Sequence, residues 1–136
     1  NMLEKMFITL QNNPSASYAY SQFRFGWKKI KSNRFDPELL KKVNYIDTTS
    51  LIRRQDFSKI GWDRNLKRFQ DWDLWLTMLA NKKTGVLAPD VLYKKIVGTR
   101  KGISQWLPSF MYKSFPNIQA VEEYNRLKKV VFDKHQ

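Results

Sequence analysis

The chain has 136 residues, with 25 Lys plus Arg against 12 Asp plus Glu and a net charge of +13. Hydrophobic residues at 42% and aromatics at 15% supply enough apolar surface for one packed core, which excludes a disordered chain. The lack of cysteine excludes disulfides and thiolate metal sites and permits a reducing compartment, and no apolar run approaches the ~18 residues that cross a bilayer.

Such a positive field suits phosphate-bearing partners: nucleoside diphosphates, anionic lipid headgroups or nucleic acid. The chain opens on Asn1 rather than Met and shows no signal peptide, which leads to the expectation of an excised fragment.

Met2, Leu3, Met6, Phe7 and Leu10 share one side of a helix that Asn12-Asn13-Pro14 ends. Ala16 to Phe25 then alternates, with Tyr18, Tyr20 and Gln22 on one side and Ala19, Ser21 and Phe23 on the other, and is predicted as a strand. From Gly26 to Lys42 the chain is basic, and Asp36-Pro37 marks a helix start with Asp36 as cap. This stretch reads either as a loop over an active site or as a surface excursion. Asn44 to Ile52 is rich in β-prone residues and is predicted as a buried strand. A short helix, Gln55 to Ile60, follows and ends on a left-handed Gly61. Arg53 and Arg54 leave the strand end, where an open α/β sheet places its ligands, so they are candidate phosphate contacts.

Trp72, Trp75, Leu76 and Leu79 predict one apolar face on a helix from about Asp71 to Asn81. Asp71 and Asp73 fall in its first turn, where free N–H groups and the macrodipole favour negative charge. Plain capping is one reading of the pair. Val86 to Ile96 gives one or two strands, broken at Pro89-Asp90. The loop Gly98 to Ser104 carries Arg100 and Lys101, which either hold a phosphate or are simply solvated; its spacing is not that of a P-loop. An aromatic cluster runs from Trp106 to Phe115. A last helix has the stripe Ile118, Val121, Tyr124, Leu127 and Val131, expected to dock on the sheet or on a partner. His135, the only histidine, has no second ligand type beside it, so no metal or triad role is expected.

Three pieces stand in order: Ser50-Leu51-Ile52-Arg53-Arg54, then Phe57-Ser58-Lys59-Ile60-Gly61-Trp62-Asp63, then Asp71-Trp72-Asp73-Leu74-Trp75-Leu76. Their order and spacing resemble the C-terminal half of the GT-A domain in inverting family 2 glycosyltransferases, over about Met2 to Ser104. Asn13-Pro14 followed by Ala19-Tyr20-Ser21 matches the family's segment just after its metal motif. The resemblance implies an α/β chain with a partial GT-A-like fold: a small mixed sheet flanked by helices, without the N-terminal nucleotide-binding βαβ units. Residues 1–104 would be the C-terminal half of that domain and 105–136 a helical extension.

The resemblance makes Asp71 the catalytic base that deprotonates an acceptor hydroxyl. Asp73 would fix the acceptor or serve the helix start, and Trp72 would stack on an acceptor sugar or lie in the core. The position before Asp71 is usually acidic in the family and is Gln70 here. Asp71-Trp72-Asp73 spells D-x-D, yet follows Leu66 to Gln70 rather than a buried strand, and two residues apart on a helix do not face the same way. The divalent cation (Mg or Mn) of the full enzyme would therefore take its ligands outside this chain, with no cofactor expected in the fragment. Donor and acceptor would be a nucleotide sugar and a polysaccharide or lipid-linked sugar, at the cytoplasmic face of an anionic membrane. The fragment alone is expected to be inactive and, with apolar surface left uncovered, to self-associate.

Two other classes fit the composition. A nucleic-acid-binding module would use Phe23-Arg24-Phe25-Gly26-Trp27-Lys28-Lys29, although no known nucleic-acid motif stands in the chain. A non-catalytic interaction domain would keep the fold without the chemistry.

Overall fold

A computed structural model describes residues 1–57, 60–95 and 119–135. The readings placed on Ile96 to Ile118, including Arg100, Lys101 and the aromatic cluster, lie outside the described residues.

The first helix, α1 (Met2–Gln11), starts where the Asn1 side chain accepts from Leu3 N at 3.1 Å, and it buries Met6 and Leu10. β1 (Ala16–Phe25) follows and is the spine of the sheet. β2 (Lys28–Ile30) returns antiparallel to it, with Phe25 opposite Lys28. That register leaves Gly26-Trp27 as a two-residue turn. Gly26 has φ of 60°, the left-handed first position that this kind of hairpin reserves for glycine.

α2 (Pro37–Lys42) starts as the sequence predicts. Asp36 Oδ1 accepts from Glu38 N and Leu39 N at 2.9 and 3.0 Å, and Pro37 takes the first position, where no donor is missed. β3 (Leu51–Ile52) pairs antiparallel with Ala19 and Tyr18, and α3 (Arg54–Phe57) leads to Gly61, left-handed at φ 63°. α4 (Gln70–Ala80) precedes β4 (Thr84–Lys95), which runs parallel to β1 along its other flank. α5 (Gln119–Lys134) closes the described chain.

The sheet is therefore small and mixed, with β4 on one side of β1 and both β2 and β3 on the other. It has helices on both faces. On one face α1 sets Met6 and Leu10 against Ala16 and Ala19. On the other, Tyr18 and Tyr20 join Trp72, Trp75, Leu40 and Ile46 in the larger core. Trp75 stacks on Tyr18 with ring centroids 4.6 Å apart. The indole N–H groups of α4 also find partners: Trp72 donates to Leu40 O at 2.7 Å and Trp75 to Ile46 O at 3.0 Å. Buried aromatic amines need such acceptors, and here they tie the 40–46 segment to α4.

Four expectations are corrected. Only Leu51 and Ile52 of the Asn44–Ile52 stretch pair as strand, because Asp47 Oδ1 accepts from Thr48 Oγ1 and Thr49 N, each at 3.0 Å, and turns the chain before it can extend. Lys28–Ile30 pairs although its composition gives no strand signal; the hairpin turn places it there. β4 does not break at Pro89-Asp90. Its register jumps from Ser21 opposite Ala88 to Gln22 opposite Val91, so the two residues form a bulge in one continuous strand. α4 buries far more than one stripe: Leu74 and Asp73 are enclosed along with Trp72, Trp75, Leu76 and Met78. A helix enclosed on most sides sits between layers, and the outer layer here is α5.

That last helix docks on α4. Val131 joins the larger core, Tyr124 meets Phe69 edge-on at 5.0 Å, and Lys128 Nζ lies 6.0 Å from the Trp72 ring centroid. Among the described residues, no helix is long and apolar enough to cross a membrane.

Candidate active site

The start of α4 is built on strained backbone. Phe69, at the N-cap position, has φ of 61° and supplies no side-chain cap. A bulky residue in this left-handed region costs energy and is held by its surroundings, here Trp72 at 6.1 Å and Tyr124 at 5.0 Å, both edge-on to its ring. Gln70 is exposed, and its Nε2 donates to Leu66 O at 2.6 Å.

Asp71 and Asp73 then part company. Asp73 is 3% exposed and is enclosed by the end of α5. Its carboxylate receives Lys134 Nζ at 2.9 Å and His135 Nε2 at 2.7 Å. Lys134 also meets Asp63 Oδ2 at 2.8 Å. Burial works against the charge on Lys134, but the hydrogen bonds it donates to Asp63 and Asp73 outweigh it and raise the ammonium pKa; Asp63 in turn is lowered, chiefly by Lys134.

Asp71 is partly buried and forms no ion pair among the described residues. Burial pushes its carboxyl above the ordinary aspartate range, and the neighbouring Asp47 adds to that rise. Pulling the other way are Trp72 N, which donates to Asp71 Oδ1 at 2.8 Å, and the Asn44 side chain. Beside this carboxylate, Asn44 Oδ1 is buried without a hydrogen-bond partner among the described residues. Burial raises the Tyr93 hydroxyl too, and Asp47 raises it further. Asn44, Asp47 and Tyr93 were not singled out in the sequence. The run Asp47-Thr48-Thr49-Ser50 carries a turn signal that could have marked the first bend of the site.

The remaining candidates take other places. Trp72 is 1% exposed with its N–H bound, so its ring packs in the core and is not offered to a sugar. Arg53 reaches across the sheet, donating from Nε to Ala16 O at 2.9 Å and from Nη2 to Leu10 O at 2.7 Å. Two of its directions are therefore spent on joining α1 to β1. Arg54 is exposed at the start of α3. Both arginines line a groove of about 700 Å³ with Phe7, Leu10, Leu51 and Ile52. A smaller hollow of about 330 Å³ holds Asp56 and Lys83. Neither hollow is lined by Asp71.

A D-x-D cation site does not fit Asp71-Trp72-Asp73, because Asp73 is already bound by Lys134 and His135. Among the described residues, no group of three or more carboxylates and histidines is placed to hold a metal. His135 does have a partner after all, and that partner lies 62 residues away in sequence, so no local pattern could reveal it. Comparison of the chain with protein-family models and with curated proteins finds no match.

Proposed function

We propose that this chain is the acceptor-side part of an inverting, GT-A-type glycosyltransferase, in which Asp71 is the general base. One observation carries the reading: of the two carboxylates in the first turn of α4, Asp73 is consumed by α5, whereas Asp71 has no cation partner among the described residues and a carboxyl raised by burial. A base is most effective when its pKa lies nearer the working pH than a free carboxylate's does.

In this mechanism the Asp71 carboxylate takes the proton of an acceptor hydroxyl. The freed oxygen forms a bond to the anomeric carbon as the bond to the nucleoside diphosphate breaks, and attack from the opposite face inverts the centre. Asp47 beside Asp71 disfavours a second negative charge there and so favours uptake of the proton. The buried Asn44 Oδ1 beside Asp71 supplies a polar atom able to bind an acceptor hydroxyl. The donor nucleotide and any cation that stabilises the leaving diphosphate belong to the nucleotide-binding units that the resemblance assigns to another segment.

The test is Asp71→Asn in a polypeptide that carries those units. Sugar transfer should fall by roughly 10²–10⁴-fold with donor binding unchanged. Residues 1–136 alone should give no turnover with any nucleotide sugar. Transfer by the isolated chain, or full transfer by the Asp71→Asn protein, would reject the reading.

A further inference from the structure

The far end of the sheet carries a feature that sugar transfer does not use. Trp27, at the tip of the β1–β2 turn, is 94% exposed. Beside it the register places Lys29 opposite Arg24 and Arg24 opposite Lys94, so three cations stand in one row across β2, β1 and β4. All three side chains are exposed, and none is in an ion pair among the described residues. The nearest carboxylate along β4, Asp90, is taken by Lys5. Like charges directly opposite each other weaken a sheet, and adjacent strands are only about 4.8 Å apart. The fold therefore holds together a row that repels itself, next to a large aromatic side chain kept in water.

We infer that this hairpin tip docks on a bilayer surface bearing anionic headgroups, with Trp27 entering the headgroup layer and the Lys29–Arg24–Lys94 row facing the phosphates. Trp27 stands on a two-residue turn with almost all of its surface in water, and a tryptophan so placed enters an interface where one end of the ring is apolar and the N–H stays wet. Single-stranded nucleic acid stacks successive bases on successive open aromatic faces; Trp27 offers one, but the nearby Phe23 and Tyr93 are stacked on each other at 5.3 Å, with 11° between their planes. The inference is independent of the role given to Asp71.

Co-sedimentation of the chain with vesicles tests it. One set holds about 30% phosphatidylglycerol in phosphatidylcholine and the other phosphatidylcholine alone, in about 0.1 M salt. Binding should require phosphatidylglycerol. Replacing the row by glutamine (Arg24→Gln, Lys29→Gln, Lys94→Gln) should weaken partitioning by about fivefold for each cation removed. Trp27→Ala should weaken it by at least about tenfold. Thermal melting should be unchanged by Trp27→Ala, since the ring touches only solvent, and unchanged or raised in the triple variant. Bromine-labelled phosphatidylglycerol should quench tryptophan emission in the wild type and not in Trp27→Ala. Equal binding to both vesicle sets, or phosphatidylglycerol binding that survives both variants, would overturn the inference. So would capture of a single-stranded oligonucleotide through the same residues with no vesicle binding.

Discussion

Replacing Asp73 by asparagine tests whether this carboxylate is structural. The change keeps the volume and one oxygen but removes the charge that meets Lys134 at 2.9 Å and His135 at 2.7 Å. Breaking a buried ion pair from one side costs about 3–5 kcal/mol when the partner left behind is itself buried. Lys134 is not: its side chain is 40% exposed, and it keeps Asp63 at 2.8 Å. What is lost is two charge-assisted hydrogen bonds, one of them discounted for solvent, or about 2 kcal/mol. For a chain of this length that lowers the melting temperature by roughly 6–10 °C. Circular dichroism melts at neutral pH measure it, and a cycle with Lys134→Met should return a coupling of at least about 0.5 kcal/mol. A melting point within about 2 °C of wild type would show that Asp73 does not hold α5, and the division of labour between the two aspartates would fall with it.

Asp71→Asn should behave in the opposite sense. A carboxyl whose folded pKa is raised contributes stability that is fully present below its unfolded value, about 3.9. That contribution is lost as pH rises through the folded value. At neutral pH the ionised Asp71 therefore weakens the fold, and a neutral isostere removes the strain while its oxygen can still accept from Trp72 N. The variant should melt at or above the wild-type temperature at pH 7, with the difference vanishing in acid. A loss matching that of Asp73→Asn would mean that Asp71 is a structural residue as well.

Arg53→Met removes the charged donor from the carbonyls of Ala16 and Leu10, the latter still met by Asn13 N at 3.1 Å, and should cost about 1–3 kcal/mol, read as a shift in denaturant midpoint with an unchanged slope. Gly85→Ala would drive a Cβ into the buried Tyr18 ring and should cost about 1–3 kcal/mol by the same measurement. Lys83 holds the Asp56 carboxyl below its usual range through a hydrogen bond at 2.7 Å, a stabilisation present above the unfolded pKa and lost as pH falls through the folded one. Lys83→Met should therefore be less stable than wild type at pH 7, and the gap should close below about pH 3.9.

What could be read from the sequence depended on how local its cause was. The strand Ala16–Phe25 and the cap at Asp36-Pro37 rest on alternation and on a side chain reaching the next few residues, and both stand where the sequence predicts them. The small mixed sheet with flanking helices, which the structure shows, was expected from the resemblance and not from any local pattern. The Asn44–Ile52 stretch went astray because β propensity was weighed above the turn chemistry of Asp47. Pro89-Asp90 read as a break because a bulge depends on the partner strand, which the sequence of β4 does not contain. In the candidate site, Asp71 was singled out by its place in an ordered motif. Asn44 and Asp47, which act on it, come from another segment, and Tyr93 meets Asp47 from β4; only the fold brings them together.

The geometry around α4 also couples the end of the chain to the candidate base. Asp71 and Asp73 are successive turn-mates at the start of one helix, and that start has no side-chain cap; Phe69 sits there in a conformation that bulky residues avoid. Such a terminus would fray if left to itself. Here α5 supports it at three levels: Tyr124 against Phe69, Lys128 over Trp72, and Lys134 with His135 on Asp73. Loss of that support should therefore let the start of α4, and Asp71 with it, move, although α5 makes no ion pair with Asp71 among the described residues. Lys134→Met with His135→Gln should then lower transfer without any change to Asp71 itself, and should bring the apparent pKa of the base back toward that of a free carboxylate. An unchanged pH–rate profile in that double variant would uncouple α5 from the base and leave it as packing alone.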